Sequence, residues 1–163
     1  MAQVGSWRDL DTPAPLVDVD RMETNLRTAA AYCREHNLAY RPHAKTHKSP
    51  QVAQHQLAAG AIGITCAKVS EAEVMAASGI EDLLIANQVT GAIKVDRLTD
   101  LARRCDLMVA VDDAANVAQI SEACVAKGVQ LRVLVEVDIG MNRCGVAPGA
   151  PALALGQQVA QAP

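Results

Sequence analysis

The sequence predicts an α/β fold in which parallel strands alternate with helices. Segments with strand and helix patterns follow one another about every 20 to 25 residues, which is typical of βα units joined by right-handed crossovers. The 163 residues are 50% hydrophobic but include no Phe, one Trp and two Tyr. Small aliphatic side chains must therefore fill the core, and such side chains suit helices packed on a parallel sheet.

The last predicted strand, residues 129–137, distinguishes a barrel from an ordinary sheet. Because side chains alternate along a strand, Val133 and Val135 share one face while Arg132 and Glu136 share the other. Both faces of a plain parallel sheet are apolar, so the charged face predicts a barrel interior or an active-site wall. An edge strand with one solvated face is the alternative.

The strands are predicted from short apolar runs bounded by loop-forming residues. The predicted strands are residues 16–19, 38–41, 62–66, 83–86, 107–111 and 129–137. The helices are predicted from apolar residues at helical spacing between start and stop signals. The predicted helices are residues 21–36, 49–59, 70–79, 93–104, 113–127 and 152–160.

The helix ends have recognisable signals. Asp20 with Glu23, and Ser70 with Glu73, have the spacing of a capping box. Either Asp112 or Asp113 caps the fifth helix. Glycine ends three of the helices, at Gly60, Gly79 and Gly128.

The basic stretch at residues 41–48, Arg-Pro-His-Ala-Lys-Thr-His-Lys, lies between a strand and a helix. Pro42 lacks an N–H group and biases the residue before it away from the helical region, so the strand must end here. Ser49 followed by Pro50 is a helix start. Lys45 therefore belongs to a strand-to-helix loop, and in a repeating βα chain such loops form the catalytic edge of the sheet.

The surroundings of Lys45 favour a nucleophilic role. A lysine attacks more readily when nearby positive charge disfavours its ammonium form. Arg41, His43, His47 and Lys48 all lie within four residues of it. This arrangement suits a Schiff base with an aldehyde cofactor, while a solvated basic loop or a simple anion site is the alternative.

Three further residues are candidates for ligand contacts. Arg143 follows a glycine-containing turn after the last strand, and Glu136 on the inward face is its nearest acidic partner. This pair could orient a polar ligand atom or could be a structural ion pair alone. Gln88, in a loop after a strand, could donate a hydrogen bond to a ligand or cap the next helix.

Several classes of partner are excluded by composition. His43 and His47 lie in a loop and lack the Glu of an H-E-x-x-H motif, so they do not predict a metal site. The formal net charge of −3 gives no general attraction to nucleic acid or to an anionic membrane, and aromatic stacking residues are scarce. No apolar run approaches the ~18 residues of a membrane span, and no signal peptide is recognisable. Five scattered cysteines without C-x-x-C spacing predict reduced thiols in a cytoplasmic protein.

Three segments in order carry a resemblance to a known family. Residues 41–48, 66–73 (C-A-K-V-S-E-A-E) and 136–145 (E-V-D-I-G-M-N-R-C-G) resemble the D-threonine aldolase and D-serine dehydratase-like family. These are fold-type III enzymes that use pyridoxal 5'-phosphate, and the similarity covers most of the chain from Thr12 to Gly145.

The resemblance implies a (β/α)8 TIM-type barrel of the alanine racemase kind, in which Lys45 is catalytic and forms the internal aldimine with the cofactor. It places Arg143 near the phenolic oxygen of the cofactor, with Glu136 as the inward residue that pairs with this arginine. His43 and Gln88 are implied to lie near the cofactor. Apart from the short segment at residues 16–19, five strands are predicted, and five strands cannot close an eight-stranded barrel. Residues 1–163 are therefore expected to be the N-terminal part of the barrel, with about five βα units, or else an open sheet.

The implied activity is aldol cleavage of D-3-hydroxy-amino acids to glycine and an aldehyde. The alternatives are dehydration of D-serine or D-3-hydroxyaspartate, and cofactor binding without turnover. In the family a C-terminal β-domain supplies the ligands of a divalent metal, so no metal ligand is assigned in this chain, which is expected to be inactive by itself. A small D-amino acid is the expected substrate, and a homodimer is expected at full length.

Overall fold

The structure, a computed structural model, describes residues 6–163. After a short 3-10 turn at Trp7–Asp9, the elements in chain order are α1 (Val19–Glu35), α2 (Pro50–Ala58), β1 (Ile64–Cys66), α3 (Val69–Ala77), β2 (Asp82–Gln88), α4 (Ala92–Leu101), β3 (Asp106–Val111), α5 (Ala114–Lys127), β4 (Arg132–Val135) and α6 (Ala150–Gln161). The four strands form one parallel sheet in the order β1-β2-β3-β4. The predicted alternation of strands and helices is confirmed.

Most predicted helix ends are confirmed by hydrogen bonds. The Ser49 hydroxyl accepts from the Val52 N–H group at 3.3 Å and begins α2. The Asp113 carboxylate accepts from the Asn116 N–H group at 2.9 Å and begins α5. Gly128 ends α5 in the left-handed conformation, with φ 61°, which glycine adopts without steric cost.

The two predicted capping boxes are wrong. The Asp18 carboxylate, not Asp20, caps α1 by accepting from the Arg21 N–H group at 3.1 Å. Because Asp18 is committed to the helix, residues 16–18 do not form the predicted strand. Helix α3 begins one residue before Ser70, at Val69, and its cap residue Lys68 makes no side-chain capping bond.

The strand predicted at residues 38–41 is an extended segment beside β1, not a regular strand. Backbone hydrogen bonds of 2.8 Å join the Thr65 N–H group to the Pro42 carbonyl and the Ala44 N–H group to the Thr65 carbonyl. Pro42 has no N–H group to continue this pattern, so only an isolated bridge forms, between His43 and Thr65. The segment nevertheless lies beside β1, at the edge of the four-stranded sheet.

The lengths of two other strands differ from the prediction. Strand β4 covers Arg132–Val135 instead of residues 129–137. Strand β2 extends through Asn87 to Gln88, residues that were predicted to be loop, because an irregular register lets Gln88 pair with Ala110 of β3.

The main core lies between the sheet and its helices. Fully buried side chains from β1, β2 and β3 face the helices; they are Ile64, Leu83, Ile85, Val109 and Val111. On the other face of β4, Leu134 is 45% exposed and lies beside the half-buried Glu136. This face carries Arg132 and Glu136 as predicted, but β4 is an edge strand of the four-stranded sheet, which is the alternative considered for it. Within residues 6–163, no helix is long and apolar enough to cross a membrane.

A group of ion pairs joins the strands near their amino ends. The guanidinium of Arg41 binds both carboxylate oxygens of Asp82, at 2.9 and 3.0 Å. Arg132 of β4 donates to the same carboxylate at 2.9 Å and contacts Asp106 at 2.6 Å. Gly63, just before β1, lies beneath the Arg41 side chain, where a Cβ atom would come within 2.7 Å of the Asp82 carbonyl oxygen and closer still to the guanidinium.

Replacing Asp82 by asparagine is expected to remove part of the acid sensitivity of the protein. Burial alone would raise the pKa of Asp82, but the hydrogen bonds and charges of Arg41 and Arg132 outweigh it and hold the pKa below its usual value. The stabilisation that the charged Asp82 gives the folded state is therefore complete above the unfolded-state pKa of its carboxyl, about 3.9. It is lost as the pH falls through the folded-state pKa. Urea unfolding between pH 5 and 2.5 should show a shallower loss of unfolding free energy in the D82N variant. Equal slopes in the two proteins would contradict the assignment.

Candidate active site

Lys45 lies at the edge of the sheet where the parallel strands end. Its turn is closed by a hydrogen bond of 2.8 Å from the Lys48 N–H group to the carbonyl of Ala44, and Ala44 is buried against β1. The Lys45 side chain is exposed, and across residues 6–163 no ion pair or hydrogen bond engages its Nζ atom. The amine is therefore accessible on a turn whose backbone is fixed.

His43 supports the backbone of Lys45. Its Nδ1 atom accepts a hydrogen bond from the Lys45 N–H group at 3.2 Å. Burial lowers the pKa of His43, and the positive charge of Lys45 lowers it further. At neutral pH His43 is thus a neutral imidazole that carries its proton on Nε2.

The structure brings together two residues that the sequence analysis treated separately. The Gln88 Nε2 group donates to the Glu136 carboxylate at 2.6 Å, from β2 to the end of β4. Gln88 reaches this position because the register of β2 shifts after Ile85. The amide fixes one carboxylate oxygen of Glu136, and both side chains are half-buried.

The predicted pair between Glu136 and Arg143 is not formed in the structure. Arg143 is exposed, and within the described part of the chain no hydrogen bond or ion pair joins it to Glu136. An exposed guanidinium is hydrated and needs no acidic partner, whereas the Glu136 carboxylate is already engaged by Gln88. Arg143 is therefore free to contact a ligand.

Two carboxylates hold the loop that bears Arg143: Asp138, which the sequence analysis did not assign, and Asp112, which it considered only as a helix cap. Asp138 accepts from the N–H groups of Gly140 and Asn142 at 2.9 and 3.0 Å, and these bonds lower its pKa. Asp112 accepts from the Gly145 N–H group at 2.8 Å. An Asp followed two residues later by Gly is typical of such a turn, and this signal could have identified Asp138.

Replacing Asp138 by alanine is expected to loosen this loop. Two backbone N–H groups would lose their acceptor, so the loop would open more often and trypsin would cleave after Arg143 about 10-fold faster. Asparagine at position 138 keeps an acceptor oxygen, and the D138N variant should be cleaved at nearly the wild-type rate. Equal cleavage of the D138A variant and the wild type would show that Asp138 does not hold the loop.

Each histidine of the basic stretch accepts a backbone hydrogen bond through its Nδ1 atom. The Nδ1 atom of His47 accepts from the Ser49 N–H group at 3.1 Å, just as that of His43 accepts from Lys45. In residues 6–163, no three or more His, Cys, Asp or Glu side chains come together in a group that could hold a metal ion.

The fold and the lysine turn together define a class of protein: parallel βα proteins with an accessible amine at the carboxyl edge of the sheet. The sequence pattern of the family described as "Alanine racemase, N-terminal domain" matches residues 17–163. The chain belongs to this family, and the predicted fold class is confirmed.

Individual relatives support the same resemblance. The D-threonine aldolase of Arthrobacter sp. is 49% identical over 154 residues, which are 94% of this chain and 41% of that protein. The crystal structure of D-threonine aldolase from Filomicrobium marinum has a TM-score of 0.93 at 50% identity and covers 96% of this chain and 42% of that one. The structure of D-threo-3-hydroxyaspartate dehydratase from Delftia sp. HT23 has a TM-score of 0.84 at 37% identity. The match covers 93% of this chain and 41% of that one.

These relatives confirm the resemblance predicted from the three motifs. The chain spans about two fifths of the length of each of them.

Proposed function

We propose that this chain supplies the lysine and one wall of the active site of a pyridoxal 5'-phosphate-dependent lyase that cleaves D-3-hydroxy-amino acids into glycine and an aldehyde. The accessible amine of Lys45, unpaired within the described residues and held on a fixed turn at the carboxyl edge, carries this proposal. The 49% identity to a D-threonine aldolase supports the aldol reaction.

The chemistry of the side chains present fits this cofactor. Lys45 offers a primary amine for an aldehyde, and Arg143 offers a guanidinium for a phenolic or other anionic oxygen. Glu136, oriented by Gln88, offers a carboxylate at the same edge of the sheet. When bound, pyridoxal 5'-phosphate supplies an aldehyde for covalent attachment and a ring that withdraws electrons from the bonds at the substrate Cα atom.

The residues of the chain have distinct roles in this proposal. The Lys45 Nζ atom would hold the cofactor, and as a free amine it could accept a proton at the same edge of the sheet. His43 fixes the Lys45 backbone through its Nδ1 atom. Arg143 orients the ligand, while Gln88 and Glu136 form the opposite wall. Among the residues described here, no group of three or more His, Cys, Asp or Glu side chains could hold a divalent metal.

The test uses the product of the complete reading frame. Its absorbance is recorded before and after borohydride reduction, the labelled peptide is mapped, and D-threonine and D-serine are supplied with and without a chelator. A reduced adduct on Lys45 with release of glycine from D-threonine is the expected result. Cofactor binding without turnover of either substrate would favour a carrier or regulatory protein, and the absence of an adduct on Lys45 would refute the proposal.

Dehydration is the second candidate, because the D-threo-3-hydroxyaspartate dehydratase from Delftia sp. HT23 shares this fold at 37% identity. Formation of a 2-oxo acid from D-serine or D-3-hydroxyaspartate, without glycine, would select this reaction. The small D-amino acid substrate, a homodimer at full length and the cytoplasmic location stay predictions.

A further inference from the structure

Glu71 connects two loops at the edge of the sheet where Lys45 lies. It is in the first turn of α3, and its side chain is 10% exposed. One carboxylate oxygen accepts from the Ala67 N–H group at 2.8 Å, at the end of β1. The other lies 3.5 Å from the Nζ atom of Lys48.

Lys48 closes the turn that presents Lys45. Its N–H group donates to the Ala44 carbonyl at 2.8 Å. Its φ angle is 51°, in the left-handed region that residues other than glycine rarely adopt. Such a conformation persists only when surrounding contacts hold it. Among the described residues, Glu71 forms the ion pair that restrains the Lys48 side chain.

The charge of Glu71 is maintained despite its burial. Burial raises the pKa of this carboxyl, but the Ala67 N–H group and Lys48 outweigh the effect, so the pKa lies below its usual value. Glu71 is thus a carboxylate at neutral pH, and its negative charge can attract the Lys48 ammonium.

We propose that Glu71 is a positioning residue for Lys45: its carboxylate holds Lys48 and thereby fixes the turn of residues 44–48 against the end of β1. One part of the inference rests on the proposed function, namely that the turn presents the Lys45 amine to the cofactor. The structural part, that Glu71 restrains the turn, can be measured in protein without cofactor.

The first test is hydrogen exchange of the cofactor-free product of the complete reading frame. Glu71→Gln keeps an acceptor oxygen for Ala67 but loses the charge that attracts Lys48. Exchange of the amides in residues 45–48 should become about 10-fold faster in the E71Q variant. Lys48→Met removes the same ion pair from its exposed side and should give the same increase, and the double variant should show no further change.

A matched control is available on the same helix. Glu73, two residues further along α3, forms an ion pair with Arg97 of α4. In the described part of the chain, it makes no hydrogen bond or ion pair with the turn of residues 44–48. Glu73→Gln removes one carboxylate charge from the same helix, where the side chain is 35% exposed and pairs with Arg97 instead of Lys48. It should leave the exchange of residues 45–48 at the wild-type rate.

The second readout is the attachment of pyridoxal 5'-phosphate to Lys45, trapped by borohydride. E71Q and K48M should lower the rate of attachment several-fold, while E73Q should not. Wild-type exchange of residues 45–48 in both E71Q and K48M would overturn the inference. If the wild type itself forms no adduct on Lys45, the proposed function fails, and the exchange data still decide whether Glu71 holds the turn.

Discussion

The Lys45→Arg variant is expected to lose turnover almost completely, with kcat/KM lowered at least about 1000-fold. Arginine keeps the positive charge and much of the length of the side chain, but its guanidinium does not lose a proton in proteins and cannot attach to an aldehyde. Within residues 6–163 the exposed side chain of Lys45 has no hydrogen-bond or ion-pair partner, so the fold should tolerate the change. Activity on D-threonine and borohydride trapping measure the effect.

The control for this variant is Lys127→Arg. Lys127 forms ion pairs with Asp96 and Asp100 in the helical layer, at 2.6 and 2.7 Å, and is remote from the lysine turn in the fold. K127R should keep both activity and labelling of Lys45. Turnover by K45R, with the adduct on another lysine such as Lys48 or Lys68, would contradict the role given to Lys45.

The Gly63→Ala variant is expected to lose about 2 to 3 kcal/mol of unfolding free energy. The new methyl group would overlap the Arg41 guanidinium and lie 2.7 Å from the backbone carbonyl oxygen of Asp82. Arg41 would have to leave its two hydrogen bonds with Asp82, and β1 would have to move from β2. Urea unfolding at pH 7 measures the loss.

Gly156→Ala is the matched control for Gly63→Ala. Gly156 lies in α6, and an added Cβ atom there would meet nothing within 4 Å. The substitution should stabilise the protein by about 0.5 to 1 kcal/mol, because alanine loses less backbone entropy in a helix. In a G63A/R41A double variant, part of the G63A effect should disappear, since the guanidinium is no longer there to be displaced. Full additivity would show that the clash with Arg41 is not the cause.

Periodicity predicted the helical and parallel part of the fold well, because repeated apolar positions report burial directly. Ser49, Asp113 and Gly128 mark helix ends in the structure as the sequence predicted. The capping boxes failed because a box needs only two side-chain types at the right spacing. Asp18 and Lys68 show that neighbouring residues compete for the same helix end.

The turn that bears Lys45 could be predicted from the sequence, whereas the contacts among the candidate residues could not. The position of Lys45 followed from Pro42 and from the strand-to-helix pattern, which are local signals. The bond between Gln88 and Glu136 depends on a register shift within β2, and no local pattern encodes that shift. The restraint of Lys48 by Glu71 joins residues 23 positions apart through folding alone, so spacing could not reveal it.

Two polar contacts on the inner face each span an intervening strand. Arg41 reaches Asp82 across β1 above Gly63, and Gln88 reaches Glu136 across β3, where Ala110 is the neighbour of Gln88. In a flat sheet, alternate strands are about 9.6 Å apart, so such contacts are shortest on the concave side of a bent sheet. Each contact holds alternate strands together on this face and so favours curvature of the sheet toward it. One contact lies near the amino ends of the strands and the other near the carboxyl ends. A larger residue at position 63 or 110 would lie beneath one of these contacts and is therefore expected to weaken it.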